Sequence, residues 1–246
     1  MIWTRHQEPE PNRKLERKVQ NWANRMAQAV DENPDEALKE SQQILKWSLR
    51  KTGPNSSFTI KAMNEVANQF ARQDRVSEEI GVREAIVEAL RKNVGTDDEA
   101  TLSAELQLAT CLIALERAEE ADPFLVHVVA ERSVLFGEED PRTLAAMAWR
   151  ATVMKKLGRF AEARALQERV VNAYEAGDQR ESAQALTAVL NLASTLCELN
   201  ELDAARPLLH RVLDVRTRTL GPDDPKTLEV LHLLASFRLE SDDGDH

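Results

Sequence analysis

Apolar residues recur along this chain at spacings of three and four, the spacing of one face of an α-helix. Between residues 101 and 115 they are Leu102, Leu106, Leu108, Ala109, Leu112 and Leu115. A short polar break follows, and a second helical pattern then begins, carried by Phe124, Val128 and Val129. Further along the chain, the second pattern returns at Leu208, Val212 and Leu213. The sequence therefore predicts pairs of antiparallel helices joined by short turns.

The helix pair repeats at a step of 42 residues. An alanine marks every step without insertion, at Ala67, Ala109, Ala151, Ala193 and Ala235. Glycines precede the first helices at the same step, at Gly53, Gly95, Gly137 and Gly221. Position 179 is Gln instead, and a glycine stands two residues earlier, at Gly177. A fixed period of this length predicts a solenoid of stacked helical hairpins.

A short acidic phrase, "LFGEEDPRTL" and later "TLGPDDPKTL", could hold a cation or begin a helix. The equivalent position in the five repeats is occupied by Ser56, Asp98, Asp140, Ser182 and Asp224. Serine and aspartate both accept a hydrogen bond from the first-turn N–H groups of a helix. A calcium loop needs several oxygen ligands around a glycine, and serine would not replace its aspartates so freely. We therefore expect helix N-caps and no metal site.

Three stretches resemble tetratricopeptide repeats, in particular the 42-residue kind of kinesin light chain and its bacterial relatives. They are "LGPDDPKTL", "LGRFAEARALQERVV" and "LNLASTLCELNELDAARPLLHRVLDVRTRTLG". The small residue of the family's second helix matches Ala121, Ala163 and Ala205. The resemblance implies an all-α, right-handed α-solenoid. It also implies a concave groove, lined by the first helices, that takes extended peptide segments of protein partners.

The repeat boundaries divide the chain into an N-terminal extension, a repeat region and a short tail. Residues 1–12 are the extension, and residues 13–52 are a degenerate capping repeat in which Arg25 replaces the first-helix alanine. The solenoid covers residues 53–240, as 53–94, 95–136, 137–178, 179–220 and a final single helix, 221–240. Residues 241–246 are expected to be a disordered acidic tail. In the first full repeat, Glu79 stands where the second helix should have alanine.

Composition narrows the classes of function. The 246 residues carry a formal charge of −10, which disfavours binding to nucleic acid or to an anionic membrane. Aromatic residues make up only 4% of the chain, which argues against a β-sandwich. Cys111 and Cys197 form no CxxC motif, and the N-terminus has no apolar signal region. No apolar run approaches the ~20 residues of a membrane span. We expect a cytoplasmic protein with reduced thiols.

Catalytic motifs are absent from the sequence. No two of the five histidines have metal-ligand spacing, and there is no phosphate-binding glycine motif or GxSxG. His127 and His210 are expected on helix surfaces or between helices. The carboxylates are expected in caps, in turns and on outer helix faces. The sequence therefore predicts no enzyme activity, no cofactor and no bound metal.

Candidate partner-binding residues lie on the first helices, around the repeated alanines. They are mostly small or amide side chains that can hydrogen-bond a peptide backbone, accompanied by one tryptophan and two cations. The set is Asn64, Asn68, Arg72, Gln107, Thr110, Trp149, Thr152, Lys155, Asn191 and Ser194. Lys156 could add to a local positive patch. The alternatives are surface residues that hold nothing and, for Trp149, a side chain that fills space between hairpins.

The sequence favours a non-catalytic scaffold that binds a protein or an extended peptide segment in this groove. The alternative is an intracellular regulatory sensor whose superhelix responds to a small peptide or metabolite. The final helix is apolar around much of its circumference, including Leu233 and Phe237. Because a helix of this kind is usually buried, a homodimer through this helix is also predicted. The alternatives are that its apolar surface binds a different protein or is covered by the short tail.

Overall fold

The computed structural model describes Trp22, residues 33–177 and residues 180–242, with side chains as far as residue 235. Over residues 33–177 and 180–242 the chain forms ten helices and no strand. They are α1 (Pro34–Thr52), α2 (Ser57–Arg72), α3 (Val76–Asn93), α4 (Glu99–Ala114), α5 (Ala118–Phe136), α6 (Pro141–Lys156), α7 (Phe160–Ala176), α8 (Ala183–Glu198), α9 (Leu202–Leu220) and α10 (Pro225–Asp242).

Both helices of the repeat keep the predicted step. First helices begin at residues 57, 99, 141, 183 and 225, and second helices at residues 34, 76, 118, 160 and 202. Each series advances by 42 residues. The prediction of an all-α chain of helical hairpins is confirmed. The predicted extension and the first helix of the capping repeat lie outside the described residues, apart from Trp22, which is helical and buried.

Each first helix begins at the predicted cap. Ser56 and Ser182 accept through Oγ from the N–H of the third residue that follows, at 3.1 Å. Asp98, Asp140 and Asp224 accept through Oδ1 from the N–H of the second residue that follows, at 2.9 Å. These bonds satisfy N–H groups that the first turn of a helix leaves without an intrahelical acceptor. The acidic phrase therefore acts as a set of N-caps.

The turn inside each hairpin contains one residue in the left-handed backbone conformation. These residues are Asp74, Glu116, Gly158 and Asn200, with φ of 55°, 57°, 71° and 59°. They too are 42 residues apart. Only Gly158 adopts this conformation without steric conflict, since the other three carry a Cβ. The sequence marks these breaks, but the left-handed residue at each of them is a finding of the structure.

The first compact unit comprises residues 1–104. Within it α1 packs on α2 and α2 packs on α3, and Leu38, Val66 and Phe70 form a buried cluster. Glu79, at the small-residue position of α3, is buried, and Arg83 donates from Nε to Glu79 Oε1 at 2.6 Å. The pairing compensates the carboxylate for its removal from water. The expectation that all carboxylates lie in caps, turns and outer faces is wrong here.

The second compact unit comprises residues 105–246, so the boundary between the units falls within α4. From α5 to α10, each helix packs on the next. The small residues predicted for the helix crossings are fully buried in this unit, at Ala109, Ala121, Ala151, Ala163, Ala193 and Ala205. Alanine lets two helices approach closely because its side chain ends at Cβ. Ala235 differs and is exposed, because no second helix covers α10 within the described residues.

Candidate functional site

A pocket of about 460 Å³ opens on the second unit between α6, α7 and α8. α6 and α8 are the first helices of consecutive repeats, and α7 is the second helix between them. Leu144, Val170 and several alanines give the pocket an apolar lining. Its larger aromatic and polar lining residues are Trp149, Thr152, Tyr174, Gln184, Thr187 and Asn191. Trp149 is 40% exposed, so part of its indole faces solvent.

The pocket lies where the repeat departs from its own pattern. Two buried arginines, 84 residues apart, each donate to the first turn of the next first helix. Arg132 donates to the carbonyl of Arg142 in α6 at 3.1 Å, and Arg216 donates to the carbonyl of Lys226 in α10 at 2.6 Å. Tyr174 occupies the intervening position and lines the pocket instead. Burial raises the pKa of Tyr174, so its phenol keeps its proton well above neutral pH.

Gly177, at the end of α7, also differs in its backbone from the glycines at the ends of α5 and α9. Gly137 and Gly221 precede α6 and α10 with φ of 94° and 99°, in the left-handed region that favours glycine. Gly177 has φ of −92° and ψ of 174°, an ordinary extended conformation. It therefore does not replace the left-handed glycine missing at position 179. The loss of both the glycine and the buried arginine accompanies the pocket at this repeat.

Hydrogen bonds of the predicted groove residues limit which of their groups a ligand could use. Thr152 Oγ1 donates to the carbonyl of Ala148 at 3.1 Å, and Thr110 Oγ1 donates to the carbonyl of Gln107 at 2.7 Å. Each hydroxyl thus donates its proton to a carbonyl of its own helix, and its oxygen can only accept a hydrogen bond from a ligand. The side-chain amide of Asn191 makes no hydrogen bond within the part of the chain that the structure describes. Asn191 can therefore donate and accept at once.

A lysine links the two first helices beside the pocket. Lys155 Nζ donates to Ser194 Oγ at 2.8 Å, across 39 residues of sequence. Burial lowers the pKa of Lys155, and the nearby Glu198 and Cys197 partly oppose the shift. Lys156 instead points to Glu116, with Nζ 2.8 Å from both carboxylate oxygens. The two lysines therefore do not form the single positive patch that the sequence suggested.

The structure brings together only part of the predicted site. Trp149, Thr152 and Asn191 share the pocket, whereas Gln107 and Thr110 are not among its lining residues. In the first unit, considered by itself, Asn68 and Arg72 are exposed, and Asn64 Nδ2 donates to the carbonyl of Ile60 at 3.1 Å. The role of these three residues in partner binding remains a prediction.

Sequence reasoning missed Tyr174, Gln184 and Thr187. Gln184 and Thr187 lie seven and four residues before Asn191, on the same helix face, so the periodicity of α8 could have identified them. The signal for Tyr174 was its replacement of an arginine in the 42-residue register.

Outside the pocket, a histidine pairs with a buried carboxylate. Glu105 is fully buried, and His127 Nδ1 lies 2.7 Å from its Oε2. This contact confirms an interhelical histidine and gives a second buried carboxylate that the sequence did not predict. Among the described residues, no cluster of three His, Cys, Asp or Glu side chains could hold a metal ion. Over the same residues, no helix is both long enough and apolar enough to span a membrane.

The last helix presents an apolar face. Leu228 and Leu231 are 49% and 42% exposed, whereas Leu233 is half-buried. The equivalents of Leu228 are buried in each earlier first helix that the structure describes, at Ile60, Leu102, Leu144 and Leu186. Val230 is fully buried on the opposite side. The side chain of Phe237 lies outside the described residues. The exposed apolar positions are therefore Leu228 and Leu231 rather than the predicted Leu233.

Comparison with known proteins identifies the repeat. Models of the tetratricopeptide repeat match residues 84–176 and 185–226, together more than half of the chain. No curated protein matches it. Among solved structures, it is similar to a putative kinesin light chain of Podosopora anserina with nearly identical TPR-like repeats. The identity is 20% and the TM-score 0.72, over 82% of this chain and 96% of that one.

Two further structures have the same fold. BtubC (BKLC) from P. vanneervenii is 16% identical, with a TM-score of 0.66 over 82% of this chain and 81% of its own. YrrB, a TPR protein with an unusual peptide-binding site, is 18% identical, with a TM-score of 0.57 over 86% of this chain and 89% of its own. The fold is an all-α tetratricopeptide repeat solenoid, the fold of protein- and peptide-binding scaffolds. The chain belongs to the tetratricopeptide repeat proteins, with repeats of the kinesin-light-chain-like kind.

Proposed function

We propose that this protein is a non-catalytic scaffold that binds an extended peptide segment of a protein partner at the pocket between α6 and α8. The observation that carries the proposal is the pocket itself, which joins an exposed tryptophan to an asparagine amide with no partner among the described residues. Partly exposed tryptophans are frequent anchors of protein interfaces. YrrB, which has the same fold, is itself a peptide-binding protein.

The chemistry of the pocket suits a peptide backbone with one apolar side chain. The apolar side chain would fill the space beside Trp149 and Tyr174. The amide of Asn191 would pair with a peptide N–H and C=O, which need partners wherever they are buried. The hydroxyl of Thr152 would accept a further N–H, since its own proton is already donated to Ala148. No step of this binding requires a cofactor or a metal.

The charge and the cysteines of the chain suggest the class of partner and the cellular compartment. The formal charge of −10 favours protein partners over nucleic acid and over anionic membranes. We place the protein in the cytoplasm, where Cys111 and Cys197 would remain reduced thiols.

A regulatory sensor is the second candidate function, because a pocket of about 460 Å³ is also within the size range of small-ligand sites. A small peptide or metabolite held between α6 and α8 would fix these two helices relative to one another. The two functions differ in ligand length. Truncating a bound peptide to its anchor residue should abolish scaffold binding, whereas a sensor ligand of that size should still raise the melting temperature.

The test begins with peptides selected from a display library on the wild-type protein. Trp149→Ala and Asn191→Ala should each lower the affinity for the selected peptides, and the tryptophan variant should lower it by about tenfold or more. The matched control is His210→Ala, on the exposed outer face of α9. Circular dichroism should show that all variants remain folded. Equal loss with the control, or loss only with outer-face variants, would remove the groove from the proposal.

Self-association through α10 is a further proposal. Leu228 and Leu231 expose apolar surface that each earlier repeat buries. A twofold pairing of this face would remove it from water, and symmetric dimers are the commonest oligomers. Light scattering at tens of micromolar should give a dimer that Leu228→Glu and Leu231→Glu convert to a monomer. A wild-type monomer under these conditions would exclude this dimer.

A further inference from the structure

We propose that the outer face of α5 is a second docking surface, and that its partner is a basic amphipathic helix of another protein. The surface, here called the α5 stripe, consists of Pro123, Val126, Ala130 and Val134. All four are exposed, with Val126 at 40% and Val134 at 80%. Their spacings of three and four place them on one helix face, about 16 Å long at 1.5 Å per residue. None of them lines the peptide pocket, so this proposal does not depend on the groove.

The 42-residue register shows that this face is particular to α5. The equivalent positions are Gly81, Glu84, Glu88 and Lys92 on α3, Ala165, Glu168, Asn172 and Ala176 on α7, and Pro207, His210, Asp214 and Arg218 on α9. Each of those helices has at least two polar side chains in the set, whereas α5 has none. A single exposed valine is ordinary on a protein surface. A continuous apolar row, where the equivalent helices are polar, indicates an interaction surface.

Acidic residues border the stripe. α5 contains Glu119, Glu120, Asp122 and Glu131 but no lysine. Glu119 precedes Pro123 by four residues, and Glu131 precedes Val134 by three, so each is a surface neighbour of the stripe. Both ends of the stripe therefore have a carboxylate beside them.

The basic side chains near α5 are already engaged. Arg132, the one arginine of the helix, is buried and donates to the carbonyl of Arg142. At the N-terminal end, Arg117 Nε donates to Glu120 Oε1 at 2.6 Å. Arg159 Nη1 donates to Asp122 Oδ2 at 3.3 Å. The border that a partner would meet is therefore negative, most clearly at the C-terminal half of the helix, beside Glu131.

This charge pattern favours a basic partner helix over a second copy of the same chain. A second copy packed antiparallel on the stripe would place Glu131 against the glutamates at the start of the partner's α5, and like charges repel. A helix with its own apolar row and flanking lysines or arginines would pack its row on the valines. Its long basic side chains would lie along the apolar surface and reach the glutamates. A helix also matches the spacing of the stripe, because helices pack through rows of side chains spaced by three and four.

The experiment uses a fluorescein-labelled synthetic peptide of about 18 residues, long enough to form a helix, with leucines at helical spacing and lysines on both flanks. A second peptide has every lysine replaced by glutamate. Fluorescence anisotropy should show saturable binding of the lysine peptide to the wild type. Val126→Ser combined with Val134→Ser should weaken it by about tenfold or more.

Three further proteins make the result decisive. Ala165→Ser with Ala176→Ser, at equivalent exposed positions on α7, should leave the affinity within about twofold, and so should Trp149→Ala in the pocket. Glu119→Lys with Glu131→Lys should reverse the preference, so that the glutamate peptide binds better. The proposal is overturned by any of four results: no saturable binding up to about 100 μM, insensitivity to the valine variant, loss with Trp149→Ala, or an unreversed preference.

Discussion

The alanines at the helix crossings provide the sharpest test of the fold. Ala151 lies within α6 at full burial, whereas Ala235 occupies the same register position on α10 and is exposed. Replacing either by leucine adds the same three carbon atoms. The only planned difference between the two experiments is the packing around the side chain.

The expected magnitude follows from that difference. Three extra carbons would contribute about 2.4 kcal/mol of burial if the site could hold them, at roughly 0.8 kcal/mol each. Protein interiors have few voids larger than a water molecule, so the helices around Ala151 must move apart instead. Overpacked cores lose about 1–3 kcal/mol of unfolding free energy. Ala151→Leu should therefore lower the melting temperature by roughly 2–4 °C for each kcal/mol lost, whereas Ala235→Leu should change stability by less than about 0.5 kcal/mol.

The assay is thermal and urea unfolding followed by far-ultraviolet circular dichroism, which reports the helical content of the chain. Ala193→Leu serves as a second buried variant. The reasoning is refuted if Ala151→Leu is neutral, which would mean that the crossing is not tightly packed. It is also refuted if Ala235→Leu is equally destabilising, since the loss would then come from leucine itself rather than from the crossing.

Four other variants test local features. Asn200 and Gly158 both adopt the left-handed conformation, which glycine tolerates best. Asn200→Gly should therefore stabilise the protein by up to about 1 kcal/mol, and Gly158→Ala should destabilise it by a similar amount. Changes in unfolding free energy of the same sign for both variants, measured in urea, would contradict this. Ser182→Ala removes the cap bond to the N–H of Ala185 and should lower the unfolding free energy by about 1 kcal/mol, while millimolar calcium should not shift the melting temperature of the wild type. Tyr174→Arg places at position 174 the arginine that the preceding repeat has at position 132, and this arginine should hydrogen-bond the first turn of α8; retained affinity for the selected peptides would show that the pocket does not need the tyrosine.

Much of the fold was determined by the sequence alone because its signals are local. The N-caps at Ser56 and Asp140 act within one helical turn, so their residue type is enough to predict them. The 42-residue step is a property of each repeat and its nearest neighbours, and it persists wherever the repeat persists. The alanines at Ala151 and Ala193 mark helix crossings because a close approach excludes larger side chains.

The candidate site was only partly determined in this way. The sequence placed Trp149, Thr152 and Asn191 on first helices, where the structure shows them lining one pocket. It could not show which hydroxyl protons were already used, because Thr152 can donate either to Ala148 or to a ligand. It also missed Tyr174, because the sequence does not show that side chains of the intervening second helix line the pocket.

The tertiary structure decided the features that depend on contacts between distant residues. Glu79 and Glu105 are buried carboxylates, and only the positions of Arg83 and His127 show how each is accommodated. Lys155 reaches Ser194 across 39 residues, whereas its neighbour Lys156 turns to Glu116, although the two are adjacent in sequence. Periodicity specifies which face of a helix a residue occupies. Burial and pairing depend on what the rest of the chain places against that face, and that information exists only once the helices are packed.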